Sequence, residues 1–296
     1  MHELAALGTA LCWAFSSLIG AVPSGQLGAF TYSRLRQTSV VVLLAIYVLA
    51  TQPWRDFSLH SVSLLLLSGF IGIFFGDTLL FLSLNRLGPR RTGVLFALNA
   101  PISAVLGWLF LAEALPTSAM SGIGLTIFGV MLTIFFGHRA GQAHQLETVR
   151  GPLWIGVVLG LAAALGQAIG SIVVRPVMQA GFDPIVASFL RIGCAALCLN
   201  LLMALPIKSV RAKTTLNWKL AALTIFAGFL AMGVGMTLLL YALSGGKTGI
   251  VSTLSATSPV VLLPLLWIST GQRPTPGAWA GAFCVVAGLG LIFLNR

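Results

Sequence analysis

Ten apolar stretches of about 20 residues each follow one another along this chain of 296 residues. A helix needs roughly 20 apolar residues to cross the hydrocarbon core of a bilayer, where every backbone polar group must find its partner within the protein. The expected spans are 4–22, 30–50, 61–84, 92–112, 118–137, 152–174, 184–205, 218–243, 248–269 and 277–295. The pattern predicts an all-α integral membrane protein with ten transmembrane helices.

The composition supports a lipid environment for most of the chain. Hydrophobic residues make up 57% and charged residues 8%, against about 25% charged residues in soluble domains. The net charge of +11 does not indicate nucleic acid, because the basic residues are scattered between apolar spans without an interleaved aromatic patch. We therefore expect a lipid bilayer as a partner and no nucleic acid. The sequence leaves open whether the chain is a monomer or a homodimer.

The two halves of the chain resemble each other. Five short matches keep the same order, at separations of 155 to 159 residues. The matched pairs are Ser33-Arg34-Leu35-Arg36 with Ser188-Phe189-Leu190-Arg191, Thr78–Leu84 with Thr237–Leu243, Arg91-Thr92-Gly93 with Lys247-Thr248-Gly249, Ala100-Pro101 with Ser258-Pro259, and Pro116-Thr117 with Pro274-Thr275. This duplication predicts a first five-helix repeat over 1–140, a central loop over 141–151 and a second repeat over 152–296.

Each repeat contains an odd number of spans, so the second copy enters the membrane from the opposite side. Inverted repeats of this kind are a frequent architecture of secondary transporters, with the substrate site near the midplane between the repeats. Glycines spaced four apart, as in Gly72–Gly76 and Gly166–Gly170, predict close contacts between helices.

Asp77 is the strongest single candidate for a substrate-binding or coupling residue, because it lies well inside the third span. An acid at the bilayer centre costs about 2.5–3.5 kcal/mol on insertion scales, so such residues usually face the interior of the bundle and serve a function. Asp77 would hold a proton or meet an amine of the substrate. The alternative is a structural ion pair with an arginine, for which the candidates are Arg34, Arg36 and Arg191. The repeat places Met236 at the equivalent position.

Pro101 and Pro259 lie inside spans four and nine at matched positions. A proline frees the carbonyl four residues earlier, and broken helices at a repeat interface indicate a transporter binding site. The alternative is a structural kink that a neighbouring helix satisfies. The candidate substrate-binding or coupling residues are Asp77, Asn99, Pro101, Trp13, Thr257, Ser258, Pro259, Ser83 and Tyr241.

Three further charged residues lie at or near span ends. Arg36 and Arg191 match by the repeat, which favours a structural role such as snorkelling, with pairing to an anion as the alternative. Glu113 follows span four, where a pair on the loop side is favoured over transport chemistry.

Known enzyme and metal motifs are missing from the sequence. There is no nucleotide-binding glycine loop ending in Lys-Ser/Thr, no His-Glu-x-x-His, no elbow serine and no zinc-binding cysteine pattern. We expect a non-enzymatic carrier of a small molecule without a cofactor, and proton coupling rests on Asp77 alone. The alternatives are a flippase for a lipid-linked group, a membrane-embedded enzyme, and a membrane protein that does not transport.

The pattern resembles the EamA-type branch of the drug/metabolite transporter superfamily. The residues that carry the resemblance are Trp13-Ala14, Arg36, Arg191, the run from Leu98-Asn99-Ala100-Pro101 to Leu111-Ala112-Glu113-Ala114-Leu115-Pro116-Thr117, and Gly122–Val130. The resemblance implies export, or sometimes uptake, of amino acids and related metabolites in a bacterial inner membrane. It does not imply one substrate. The chain departs from the family pattern at Gly271-Gln272 and at Gln167.

The charge bias and the resemblance disagree about orientation. On the side of the termini lie Arg55, Arg175, Lys247 and Arg296, and the other side carries ten basic residues, which by the positive-inside rule places the termini outside. The resemblance implies termini in the cytoplasm. The sequence leaves the orientation open.

Overall fold

The computed structural model describes residues 1–51, 58–136, 151–204, 216–270 and 273–294, and these residues contain helices and no strand. The helices are α1 His2–Leu27, α2 Ala29–Thr51, α3 Leu59–Ser68, α4 Gly76–Ala97, α5 Asn99–Leu111, α6 Thr117–Phe136, α7 Leu153–Gln179, α8 Pro184–Ala204, α9 Trp218–Gly228, α10 Met236–Gly245, α11 Thr248–Ser255, α12 Ser258–Thr270 and α13 Pro276–Leu294. Two π-helical segments, Gly69–Phe75 and Phe229–Gly235, join α3 to α4 and α9 to α10.

The expected fold class is confirmed. Nine helical stretches within the described ranges are long and apolar enough to cross a membrane, and the shorter Pro276–Ile292 lies in α13. The expected central loop, 141–151, lies outside the described residues except for Gly151.

Helix α4 contains the turn between the third and fourth spans. In a straight helix, positions nine apart would be about 13 Å apart at a rise of 1.5 Å per residue. The hydroxyl oxygens of Ser83 and Thr92 are 3.3 Å apart. The chain therefore reverses between these two residues, and the arms of α4 on either side of the reversal belong to two different spans.

The two repeats pack against each other through contacts between helices of different halves. The first helix of each half packs against the π-containing span of the other half: α1 contacts α9, α10 and the π segment between them, and α7 contacts α3, α4 and the equivalent π segment. Helix α2 packs against α8, and α6 packs against α13. Each of these last two contacts joins equivalent helices of the two halves, as a pseudo-twofold arrangement requires.

Glycines allow the closest helix contacts. A β-carbon on Gly129 would lie 2.5 Å from the carbonyl oxygen of Gly281, and one on Gly122 would lie 2.7 Å from that of Gly288. In the same way, a β-carbon on Gly170 would lie 2.8 Å from Cα of Gly72. Small residues are needed at such contacts because helices in lipid associate mainly through close packing rather than through a hydrophobic driving force.

The helix bundle has two ends. The terminal face is the end where α1 begins and α13 ends, and it includes Ala112–Pro116, Ala180–Asp183 and Gly246-Lys247. The opposite face includes Gly28, the reversal within α4, and the start of α9.

Candidate functional site

Asp77 pairs with Arg36, which is one of the three arginines that the sequence offered. The Nη2 atom of Arg36 lies 3.4 Å from Oδ2 of Asp77, and the two side chains are 12% and 18% exposed. The Nε2 atom of Gln37 donates to the same oxygen at 3.3 Å. The acid is therefore compensated by a cation and an amide, both from α2.

Helix α2 presents this cluster on one face. Ser33, Arg36 and Gln37 are three and four positions apart, so their side chains share one side of the helix. The Gln37 amide also lies 3.4 Å from the hydroxyl of Ser33. The Arg36 guanidinium lies over the ring of Tyr32, 5.4 Å from its centroid, which adds a cation–π contact.

The π-helical segments set the direction of the polar side chains in spans three and eight. Each segment adds a residue per turn and changes the direction of the side chains that follow, and Asp77 comes directly after the first segment at the start of α4. Helix α1 binds carbonyls in and around the second segment. Trp13 donates through Nε1 to the Ala231 carbonyl at 3.2 Å, and Thr9 donates to the Gly235 carbonyl at 3.1 Å.

Arg191 occupies the position in the second half that Arg36 occupies in the first. It is 0% exposed, and its Nη1 atom lies 3.2 Å from Sδ of Met236. Its Nε and Nη2 atoms have no hydrogen-bond partner among the described residues. The pairing of Arg191 with Met236 supports the equivalence of Met236 and Asp77 that the repeat predicts.

Both proline-containing spans are broken at matched positions. Helix α4 ends at Ala97 and α5 begins at Asn99, while α11 ends at Ser255 and α12 begins at Ser258. At the first break, the Asn99 side chain donates to the Phe96 carbonyl at 2.6 Å. At the second break, the Thr257 hydroxyl donates to the Leu254 carbonyl at 2.7 Å. Pro101, Ser258 and Pro259 lie in the first turns of α5 and α12, and all three are partly buried.

A second polar cluster links α5, α7 and α11 at the terminal face. The Glu113 carboxylate lies 2.9 Å from Nε of Arg175 on α7. Glu113 also accepts from the Thr248 backbone N–H at 2.6 Å and from the Thr248 hydroxyl at 3.1 Å, so it lies at the positive end of α11. The Lys247 ammonium donates to the Ala114 carbonyl. We call Glu113, Arg175, Lys247 and Thr248 the terminal gate.

The terminal gate departs from the pseudo-twofold symmetry. Helices α5 and α11 pack so closely that a β-carbon on Gly249 would lie 2.7 Å from Cα of Ala104. Their inverted counterparts are α12 and the second arm of α4, and within the described ranges these two do not pack closely. The matched helices are therefore packed more closely at the terminal face than at the opposite face.

The comparisons with known proteins decide the family. The model of the EamA-like transporter family matches residues 1–135 and 154–294. The chain belongs to the EamA-like transporter family. This family is part of the drug/metabolite transporter superfamily, and the two matches bear out the two-repeat architecture.

The fold of this EamA-like chain also matches a solved structure. That protein, known from a crystal structure, is 18% identical to this chain, with a TM-score of 0.79 over 99% of this chain and 96% of the other. The likeness concerns the fold alone. The comparison with curated proteins gives no match.

The predicted site residues Ser83 and Tyr241 of this EamA-like chain make their contacts elsewhere than in the Asp77 cluster. Ser83 is buried in the contact between α4 and α7, where it donates to the Gly156 carbonyl at 2.9 Å. Tyr241 is 41% exposed and its ring lies 5.0 Å from that of His2, near the terminal face.

Sequence reasoning missed Gln37 and Arg175. The sequence pattern places Arg175 among the charges at the terminal side, but α7 continues to Gln179 and Arg175 is 4% exposed. The signal for Arg175 was a basic residue within a long apolar stretch, which indicates a buried partner. The signal for Gln37 was its place beside Arg36 on the same polar face of α2.

Proposed function

We propose that this protein exports amino acids or related small metabolites across the bacterial inner membrane by alternating access. The observation that carries the proposal is the asymmetry between the two faces of an otherwise pseudo-symmetric bundle. Inverted halves are able to exchange conformations, so a bundle that is packed more closely at one face than at the other has an equivalent state with the faces reversed. A substrate site near the midplane would then be open to each side in turn.

The broken helices supply the proposed binding region. The breaks lie beside Pro101 and Pro259, and the polar side chains of Asn99, Thr257 and Ser258 lie at these breaks. Irregular backbone is tolerated at membrane depth where it is buried in protein or lines a cavity. Polar metabolites require such donors and acceptors to replace their water.

Asp77 is the proposed coupling residue. It forms an ion pair with Arg36 in this conformation. A proton on the carboxylate would weaken that pair, and an amine on the substrate would compete with Arg36 for the same oxygens. Either event would weaken the ion pair that joins α2 to α4, so the protonation of Asp77 and the conformation of the bundle would be linked.

The test is flux in proteoliposomes. Uptake and counterflow of labelled L-amino acids are measured with and without a pH gradient, for the wild type and for Asp77→Asn. Asp183→Asn is the matched control, because Asp183 lies at the start of α8 and accepts from the Ile185 and Val186 N–H groups of its own helix. We expect saturable flux in the wild type and in the control, and a pH dependence that disappears in Asp77→Asn.

Two results would count against the proposal. Folded protein that carries none of the amino acids or related metabolites would contradict it as a whole. Full flux in Asp77→Asn with an unchanged pH profile would contradict the coupling role of Asp77 and leave the carrier function in place.

A further inference from the structure

Arg191 is a fully buried cation without a negatively charged partner in the part of the chain that the structure describes. Its side chain is 0% exposed, and its Nε and Nη2 atoms have no hydrogen-bond partner among the described residues. Its Nη1 atom donates to Sδ of Met236, and a thioether is only a weak acceptor. A buried charge is costly unless it is paired and hydrogen-bonded.

The surrounding backbone holds Arg191 tightly in this position. A β-carbon on Gly69 would lie 2.3 Å from the Arg191 carbonyl oxygen, and one on Gly72 would lie 3.4 Å from Nη2. The two glycines of the π segment thus leave room for α8 and for its guanidinium. The glycines therefore fit closely around a guanidinium whose Nε and Nη2 donors have no acceptor among the described residues. Unsatisfied buried donors are rare in native proteins, so those of Arg191 need a functional explanation.

The equivalent site in the first half indicates the missing partner. There, Arg36 meets the carboxylate of Asp77 at 3.4 Å. In the second half, Met236 stands where that carboxylate would be, 3.2 Å from Arg191. The same arrangement of arginine, glycine-rich span and facing residue therefore occurs twice, and the internal carboxylate occurs once.

We propose that Arg191 binds a carboxylate of the transported molecule. This carboxylate would pair with Arg191 in the second half as Asp77 pairs with Arg36 in the first half. This inference rests on the proposed transport function and narrows its substrate class to molecules with a carboxylate. A guanidinium presents parallel N–H groups that match a carboxylate with two hydrogen bonds. The unpartnered Nε and Nη2 atoms supply such donors.

The position of Arg191 agrees with loading from the terminal face. Helix α8 begins at Pro184 on that face, and Arg191 lies about 10 Å along it at a rise of 1.5 Å per residue. By contrast, Asp77 lies about 9 Å along α4 before Ser83, at a rise of 1.5 Å per residue, and the Asp77 pair is therefore nearer the opposite face.

The decisive variant is Met236→Asp, which gives Arg191 the internal carboxylate that Arg36 already has. Met236→Asn is the matched control, since it has nearly the same shape and polarity without the charge. Counterflow of a labelled L-amino acid in proteoliposomes is competed with the unlabelled amino acid and with its primary amide, over a panel of L-amino acids. Thermal unfolding and gel filtration establish that each variant is folded.

We expect the wild type and Met236→Asn to prefer the acid over the amide by at least tenfold, which corresponds to about 1.4 kcal/mol. In Met236→Asp, and in Arg191→Gln, that preference is expected to disappear. Should Arg191→Gln fail to fold, the comparison between Met236→Asp and Met236→Asn still decides the question.

Three outcomes would overturn the inference. One is equal competition by acid and amide in the wild type, and another is an unchanged preference in folded Met236→Asp. The third is flux of amines or neutral metabolites with no carboxylate among the carried compounds. In each case flux of some metabolite keeps the proposed transport function, whereas the absence of all flux would contradict that function itself.

Discussion

Glu113 and Arg175 connect the two repeats through a contact of 2.9 Å between Oε1 and Nε. Glu113 follows α5 in the first repeat, and Arg175 lies on α7 in the second. The same carboxylate accepts the Thr248 N–H at the start of α11. One acid therefore joins α5, α7 and α11, and the three helices must separate if the terminal face opens.

Glu113→Gln is expected to loosen the terminal gate. The amide loses the charge that binds Arg175 and the charge that complements the α11 dipole, and removal of one partner from a buried pair costs about 3–5 kcal/mol. In a background without the four native cysteines, Ser252→Cys on α11 serves as a reporter, because Ser252 is 5% exposed. A membrane-impermeant maleimide should label it about tenfold faster in Glu113→Gln.

The control for the gate is Asp183→Asn in the same reporter background. Asp183 lies at the same face, and its carboxylate accepts from the Ile185 and Val186 N–H groups of α8. Its labelling rate should match that of the parent. Equal labelling rates in Glu113→Gln and the parent would mean that Glu113 does not hold the terminal face closed.

The Arg36–Asp77 pair is expected to behave as one unit in stability. Asp77→Ala leaves the partly buried Arg36 without its acid and should destabilise the protein by about 3 kcal/mol. The double variant Arg36→Ala, Asp77→Ala should lose less than the sum of the single variants, by about 1–2 kcal/mol. Unfolding in mixed detergent micelles measures all four proteins, and strict additivity would argue against an energetic pair.

The contact between α6 and α13 should depend on the size of the residue at 129. A β-carbon there would meet the Gly281 carbonyl oxygen at 2.5 Å and the Val285 nitrogen at 2.7 Å, so Gly129→Val should destabilise the protein by about 3 kcal/mol through overpacking. Gly124→Val on the same helix is the control, because nothing lies within 4 Å of its β-carbon position. The thermal unfolding midpoint in detergent compares the two, and similar shifts would contradict the packing.

Trp13→Phe should have a small effect. The substitution removes the hydrogen bond from Nε1 to the Ala231 carbonyl at 3.2 Å and keeps most of the aromatic surface. Hydrogen bonds between membrane helices average about 0.6 kcal/mol, so we expect a loss of about 1 kcal/mol or less. Ser17→Ala is the control, since Ser17 donates to the Trp13 carbonyl within its own helix. A much larger loss with unchanged flux would assign Trp13 to packing instead.

The fold could be predicted from the sequence because a bilayer imposes a simple length rule. Apolar stretches of about 20 residues mark the spans wherever they occur, and the ordered matches between the halves predict inversion from the odd number of spans alone. The breaks near Pro101 and Pro259 followed from proline chemistry, and the helices do break next to these residues.

The π segments had no comparable signal. Gly69–Phe75 and Phe229–Gly235 are apolar and glycine-containing, like much of the chain. Whether one residue is inserted into a helical turn depends on which neighbouring helix satisfies the displaced carbonyls. Trp13 does so for Ala231 from a distance of 218 residues along the chain.

The sequence by itself determined the spans, the duplication and the types of polar residue inside the membrane, because these follow from local composition and from the thickness of the bilayer. Tertiary structure alone decided their partners. Asp77 had three candidate arginines, and the packing of α2 against α4 selected Arg36. Glu113 met Arg175 across 62 residues, and Arg191 was left facing Met236. Which polar side chains meet across such separations depends on how the helices cross, and the local sequence does not determine how they cross.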